Sequence, residues 1–176
     1  GVHTNADYTP YARKRDEDLQ ERCSAWNIPC TLSQDYTLLP IDSIRTKSNT
    51  PYKKFTPFMM EALKQPVQKP ISTNMTSLYV RSDHLTDSLA NYKSPAVKLA
   101  QGGRKEALRI MQQVDFKEYA KSRDIPTKSA TSKMSAHLKF GCVSIREFYW
   151  FIRQSTSKSH ELIRQLYWKD FYANIA

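Results

Sequence analysis

The 176-residue sequence has little of several things, and each shortage removes a class of protein. No stretch approaches the ~18 uninterrupted apolar residues of a membrane-spanning helix, so no membrane partner is expected. The opening GVHTNADYTPYARKRDED lacks the apolar core of a secretory signal, which points to an intracellular location, cytoplasm or nucleus. Only three cysteines occur, Cys23, Cys30 and Cys142, an odd number at spacings unlike a zinc cage or a disulfide framework. The four histidines, His3, His84, His137 and His160, show no paired ligand spacing, so metal catalysis is not indicated and they read as core or surface filler. The first residue is Gly1 rather than Met, followed at once by strand-like GVHTN, so the chain is expected to be a piece of something larger.

What is present is a globular composition, 40% apolar and 25% charged, on a chain long enough for one domain or parts of two. The net charge of +10 is unevenly placed. Residues 1–90 hold 11 Lys and Arg against 10 Asp and Glu, whereas residues 91–176 hold 16 against 7. A basic half is either the footprint of a polyanion partner or a solvated basic surface. The aromatic residues in the same half favour the first reading.

Three stretches follow from the patterning. Residues 1–63 read as alternating β and α: a strand through Val2–Asn5, a charged helix from about Tyr11 to Trp26, and a strand at Cys30–Leu32. An extended apolar segment then runs over Tyr36–Pro40. Strand, helix and strand in ~30 residues is the grammar of a parallel sheet. One such unit cannot cover both faces of that sheet, so further strands are expected upstream. Residues 64–103, rich in Ser, Thr, Asn, Gln and Pro, read as a linker closed by Gly102 and Gly103. Residues 104–176 read as helical. Ala107, Ile110, Met111 and Val114 give one amphipathic helix running towards Tyr119. Ser144 and Glu147 form a capping box ahead of a stripe of Ile145, Phe148, Tyr149 and Ile152. A last helix starts from Ser159 as its N-cap and continues through Ala176.

Two segments carry candidate chemistry. On the last helix Gln165, Trp168, Lys169 and Tyr172 share one side, with Leu162, Ile163, Leu166 and Ile175 as core candidates elsewhere. An amide, an indole, an ammonium and a phenol on one face suit a nucleotide, by stacking, edge recognition and phosphate pairing. The plainer reading puts Trp168 in the core and leaves Lys169 solvated. The second segment holds Thr131, Ser132 and Ser135 near a helix start, where hydroxyls and free N–H groups bind phosphate, or simply cap the helix.

Ordered blocks over nearly the whole chain resemble the photolyase/cryptochrome flavoproteins. N-A-D-Y-T-P-Y-A-R-K-R-D (Asn5–Asp16) resembles their strand-to-helix motif, and P-Y-K-K-F-T-P-F (Pro51–Phe58) resembles their PY-x-VFTPF signature. Tyr119 with Arg123-Asp-Ile-Pro126, T-S-K-M-S-A-H-L-K-F-G (Thr131–Gly141) and V-S-I-R (Val143–Arg146) resemble Y…R-x-x-P, TSxLSPYLxFG and IS-R. Q-L-Y-W-K-D-F-Y (Gln165–Tyr172) is similar to ELxWRxFY. The resemblance implies part of an α/β antenna domain over residues 1–63, a linker over 64–103, and the first part of an all-α FAD-binding domain over 104–176, both domains incomplete.

It also implies roles. Tyr119, Thr131, Ser132, Lys133, Met134, Ser135 and Lys169 would hold FAD. Gln165 and Trp168 would face a flipped pyrimidine dimer as catalytic residues, and Arg123, Gln165, Trp168, Lys169 and Tyr172 would contact DNA. The implied activity is light-driven splitting of pyrimidine dimers by an electron from reduced FAD. The alternatives are a cryptochrome-like photoreceptor and a remnant that keeps only nucleic-acid contacts. Several positions depart from the pattern. Gln165 stands where cyclobutane-dimer enzymes commonly have Glu, and Lys169 replaces Arg. Leu162 stands where some members place a Trp beside the flavin. Tyr11 and Ala12 occupy the place of a folate-binding Asn-Glu pair, so a second, antenna chromophore has room in the scheme but folate is poorly supported. The family's later helices are expected on a separate partner chain, and the 176 residues alone are expected to be inactive.

Overall fold

In the parallel pair that opens the fold, β1 (Val2–Asn5) lies against β2 (Cys30–Ser33) in the register Val2↔Cys30 to Asn5↔Ser33. The computed structural model describes residues 1–71, 100–157 and 160–175. Helix α1 (Pro10–Ala25) makes the crossover between the strands. Thr9 caps its start by accepting from Ala12 N–H at 3.3 Å, and Pro10 fits the first turn, where an amide proton would be unpaired anyway. At its far end Asn27 takes φ +53°, with its N–H donating to Ser24 O at 3.0 Å and Ile28 N–H donating to Cys23 O at 2.8 Å. That pair of bonds is a Schellman stop, and Pro29 follows it. No residue of either strand is buried, so the sheet does not carry the core.

The core lies between the helices and the chain that leads away from β2. Helix α2 (Phe55–Ala62) buries Phe55, Phe58 and Ala62, and packs against α7 (Glu161–Ile175). Leu38, Leu39 and Ile44 join the same cluster. The segment Tyr36–Pro40 is apolar as expected, yet it docks onto α7 instead of pairing as a strand. Helix α2 has no counterpart in the sequence reading, because Pro57 and a basic start obscure it; Pro is tolerated here in the first turn.

The helical stretch contains α3 (Arg104–Gln112), α4 (Phe116–Ser122), α5 (Ser135–Lys139), α6 (Ile145–Ser155) and α7. The single helix expected to run towards Tyr119 is two. The Asp115 carboxylate accepts from Lys117 and Glu118 N–H, both at 2.9 Å, and so starts α4 afresh. The stripe Ile145, Phe148, Tyr149 and Ile152 on α6 is buried as read from its spacing. The expected capping box is not reciprocal. Ser144 Oγ accepts from Arg146 N–H at 3.2 Å, while Glu147 is held by both terminal nitrogens of Arg104, at 2.9 and 2.8 Å. A strong bidentate partner has taken the carboxylate away from the helix end. Ser159 and Ala176, the expected bounds of the last helix, lie outside the described residues, as does most of the expected linker. His160 serves the start of α7 instead, its Nδ1 accepting from Leu162 N–H at 3.2 Å. On α7 Leu162, Ile163 and Leu166 are buried, but Ile175 is exposed, and Tyr167, Asp170 and Phe171 take up the buried side.

Candidate functional site

A cleft of about 530 Å³ opens between α4, α5 and α7. Its floor is apolar, made by Met134, Leu138, Phe148, Leu162 and Leu166. Tyr119, Thr131, Ser132, Lys133 and Ser135 stand along one side, and Gln165 and Lys169 along the other. Residues 131–135 reach the cleft because the chain turns sharply before α5, with Lys133 in the left-handed region at φ +55°. Among the described residues, the hydroxyls of Thr131, Ser132 and Ser135 and the ammonium of Lys133 have no partner in the protein. No acidic residue lines the cleft, while Lys133, Lys139 and Lys169 all do.

Lys169 is the most constrained of these cations. Its Nζ donates to the main-chain carbonyl of Tyr36 and lies 3.2 Å from the centroid of the Tyr36 ring. Burial holds its pKa down to about 8 against the opposing pull of Asp170, and Lys139 depresses it further. The neighbouring Asp170 carboxylate points the other way, into the core, where it accepts from Leu38 N–H at 3.0 Å and Leu39 N–H at 3.2 Å. Burial pushes Asp170 up to about 7, opposed by those two N–H groups. Arg146 grips the same segment through Gln34 O at 2.8 Å and Leu38 O at 3.3 Å. Asn174 Oδ1 accepts from Asp42 N–H at 2.9 Å. The chain from Gln34 to Asp42 is therefore bonded through its backbone to side chains of α6 and α7, which brings Tyr36 to the cleft.

The remaining expected site residues sit elsewhere. Trp168 is on the adjoining side of α7, stacked on Phe55 at 3.7 Å between centroids and 8° between planes. Tyr172 stacks on Trp168 at 5.5 Å and is exposed. These rings form a ladder from α2 to the surface, beside the cleft and not on its lining. Arg123 lies behind Tyr119. Its guanidinium pairs with Glu161 at 3.3 Å and Asp124 at 3.5 Å and bonds the Tyr119 phenol, whose pKa burial raises and Arg123 pulls back. Six lining residues were not in the expected set: Leu138, Phe148, Leu162 and Leu166 of the floor, and the polar Tyr36 and Lys139. Lys139 had a legible signal, since it lies four residues after Ser135 on the same helix face. Tyr36 had none, being far away in sequence.

An apolar floor under hydroxyls and three ammonium groups suits a ligand with a phosphate-bearing end and an apolar body. Residues 1–74 match the family model described as DNA photolyase. The deoxyribodipyrimidine photo-lyase of Alkalihalophilus pseudofirmus is 28% identical over 97% of this chain and 39% of its own length. The archaeal photolyase from Sulfolobus tokodaii, solved with two FAD molecules, superposes with a TM-score of 0.75 at 31% identity, over 99% of this chain and 38% of that one. The chain is similar to photolyases and cryptochromes over nearly its whole length. Cryptochrome-2 of Gallus gallus, 26% identical over 97% of this chain and 34% of its own length, marks the other branch of the same family. The chain spans about two fifths of the length of the relatives it matches. Its small parallel sheet followed by helices is the corresponding part of the family fold. Among the described residues no helix is long and apolar enough to cross a membrane.

Proposed function

We propose that this chain contributes to light-driven DNA repair, the splitting of pyrimidine dimers with reduced FAD. The observation that carries the reading is the convergence of Tyr119, Thr131–Ser135, Gln165 and Lys169 on one basic cleft. Thr131, Ser132, Lys133 and Ser135 hold the phosphates and ribityl chain of FAD through unpaired donors, with Met134 and Tyr119 closing that side. The chemistry bound reduced FAD supplies is donation of an electron to the dimer. Gln165 orients the lesion, its carbonyl accepting and its amide donating, but it has no acidic proton to release. Tyr172 offers the exposed ring on which a flipped dimer stacks, with Trp168 stacked behind it; Lys169 serves cofactor phosphates, and Arg123, tied to Glu161, gives a secondary contact to DNA phosphates. Residues 1–63 then belong to the antenna side, 64–103 to the connection and 104–176 to the FAD domain. The partner is dimer-bearing DNA, in an intracellular setting. Folate has no matching pair at Tyr11 and Ala12.

The 176 residues alone are expected to be colourless as purified and inactive in repair, yet to bind added FAD weakly. Titration followed by quenching of flavin fluorescence tests the site. Saturable quenching that weakens by about tenfold or more in a Lys133→Ala, Ser135→Ala variant supports it. Absence of quenching in the parent removes it. In the intact protein, blue-light repair is measured on oligonucleotides with a cyclobutane dimer or a 6-4 product, beside Gln165→Glu. The similarity to a cryptochrome and Gln165 itself favour a second reading, a flavin photoreceptor. Flavin binding without repair of either lesion selects it.

A further inference from the structure

Two lysines share one aromatic ring at the edge of the cleft. Lys169 Nζ lies 3.2 Å from the Tyr36 centroid and Lys139 Nζ lies 5.4 Å from it. Among the described residues neither ammonium is paired with a carboxylate. Asp170, next to Lys169 in sequence, is bound instead to Leu38 and Leu39 N–H. The Tyr36 ring is itself supported by Tyr8, 5.4 Å away, whose phenol bonds to it.

A carboxylate partner would hold these cations firmly and would also compete with any anion entering the cleft. An aromatic face attracts a cation through its quadrupole, by about 0.5–2 kcal/mol, and has no charge with which to compete. We propose that Tyr36 is a positioning residue, delivered from the chain after β2, that presents the Lys169 and Lys139 ammonium groups to a phosphate or pyrophosphate group in the cleft. The inference rests on reading the cleft as a nucleotide site, and deepens it by assigning the anionic end of the ligand to the α5–α7 edge beside Tyr36. It also makes ligand affinity depend on the docked segment Gln34–Asp42, because only that docking places the ring under Lys169.

The test uses the full 176-residue chain with inorganic pyrophosphate as probe, followed by calorimetry. Tyr36→Phe keeps the ring and should bind within about twofold of the parent. Tyr36→Leu keeps the backbone carbonyl but removes the ring, and should lose about tenfold in affinity. In a Lys169→Met background the same Tyr36→Leu change should have little further effect, since the double-mutant cycle isolates the ring–ammonium coupling. A ring that merely packs would weaken binding equally in both backgrounds, and that result overturns the proposal. A second readout needs no variant of Tyr36. The Lys169 ε-methylene protons should be shifted upfield by the ring in NMR spectra of the free parent and should move when pyrophosphate is added; an ordinary lysine position also overturns it. A parent that binds pyrophosphate with these signatures but does not quench flavin fluorescence keeps the Tyr36 assignment and removes the flavin reading. A parent that binds no pyrophosphate removes the assignment.

Discussion

Asp170 is the residue whose environment departs furthest from its solution chemistry. A carboxylate 1% exposed would ordinarily need a cation, but its direct bonds are to two main-chain N–H groups. With a folded pKa of about 7, above the ordinary carboxylate value of 3.8, the folded state binds more protons than the unfolded state between those values. Stability from this group is therefore full below about pH 4 and is lost as pH rises through about 7. Urea unfolding should show the parent losing stability between pH 5 and about pH 8 relative to Asp170→Asn, which keeps an acceptor and has no charge to bury. Equal pH profiles for the two would contradict the assignment. Asp170→Ala should be worse than either, by about 2–4 kcal/mol at pH 7, because it leaves the Leu38 and Leu39 N–H groups unpaired in the core.

At the scale of elements, short helices are held by individual caps. Helix α4 runs only Phe116–Ser122, yet it places Tyr119 on the cleft. Seven residues are too few to be stable alone, so its start depends on Asp115 and its packing on α7. Asp115→Ala should cost about 1 kcal/mol in thermal or urea unfolding, and Asp115→Asn should recover most of it. If the alanine variant is as stable as the parent, the break after Gln112 has another origin. The same competition between local and distant partners explains α6. Its N-terminus was legible from Ser144, but Glu147 answers to Arg104, 43 residues away, and spacing along one helix cannot reveal that.

For the whole molecule the governing quantity is a charge of +10 concentrated in the second half. Binding to DNA should be weak, independent of sequence and steeply reduced by salt. The structure sorts the cations for that role. Lys133 is exposed and unpaired among the described residues, while the Arg123 side chain is 23% exposed and engaged with Glu161. Lys133→Ala should lower the slope of log affinity against log salt by about one unit, and Arg123→Ala by clearly less. Equal slopes for the two variants would return Arg123 to direct phosphate contact. Among the described residues the aromatic ladder Phe55, Trp168 and Tyr172 ends at the surface, which leaves Tyr172 the accessible ring of that series.

The elements β1, α1 and β2 and the buried stripe of α6 were legible in the sequence from spacing and residue type, whereas Tyr119, Lys133 and Met134 entered the expected site only through the family resemblance. Thr131, Ser132 and Ser135 and the pair Gln165, Lys169 could be picked out because one short segment or one helix face holds each set together. Only the tertiary structure decided which side of α7 meets the cleft. Trp168 belongs by spacing to the same face as Gln165 and Lys169, yet Phe55 offers it a parallel ring and draws it to the neighbouring side. Tyr36 became part of the site only through Arg146, Asp170 and Asn174, whose bonds to backbone groups over 100 residues away carry no sequence signature. Periodicity encodes which face of an element is apolar. It does not encode which distant segment that face will meet, because the docking depends on backbone N–H and C=O groups that every residue shares.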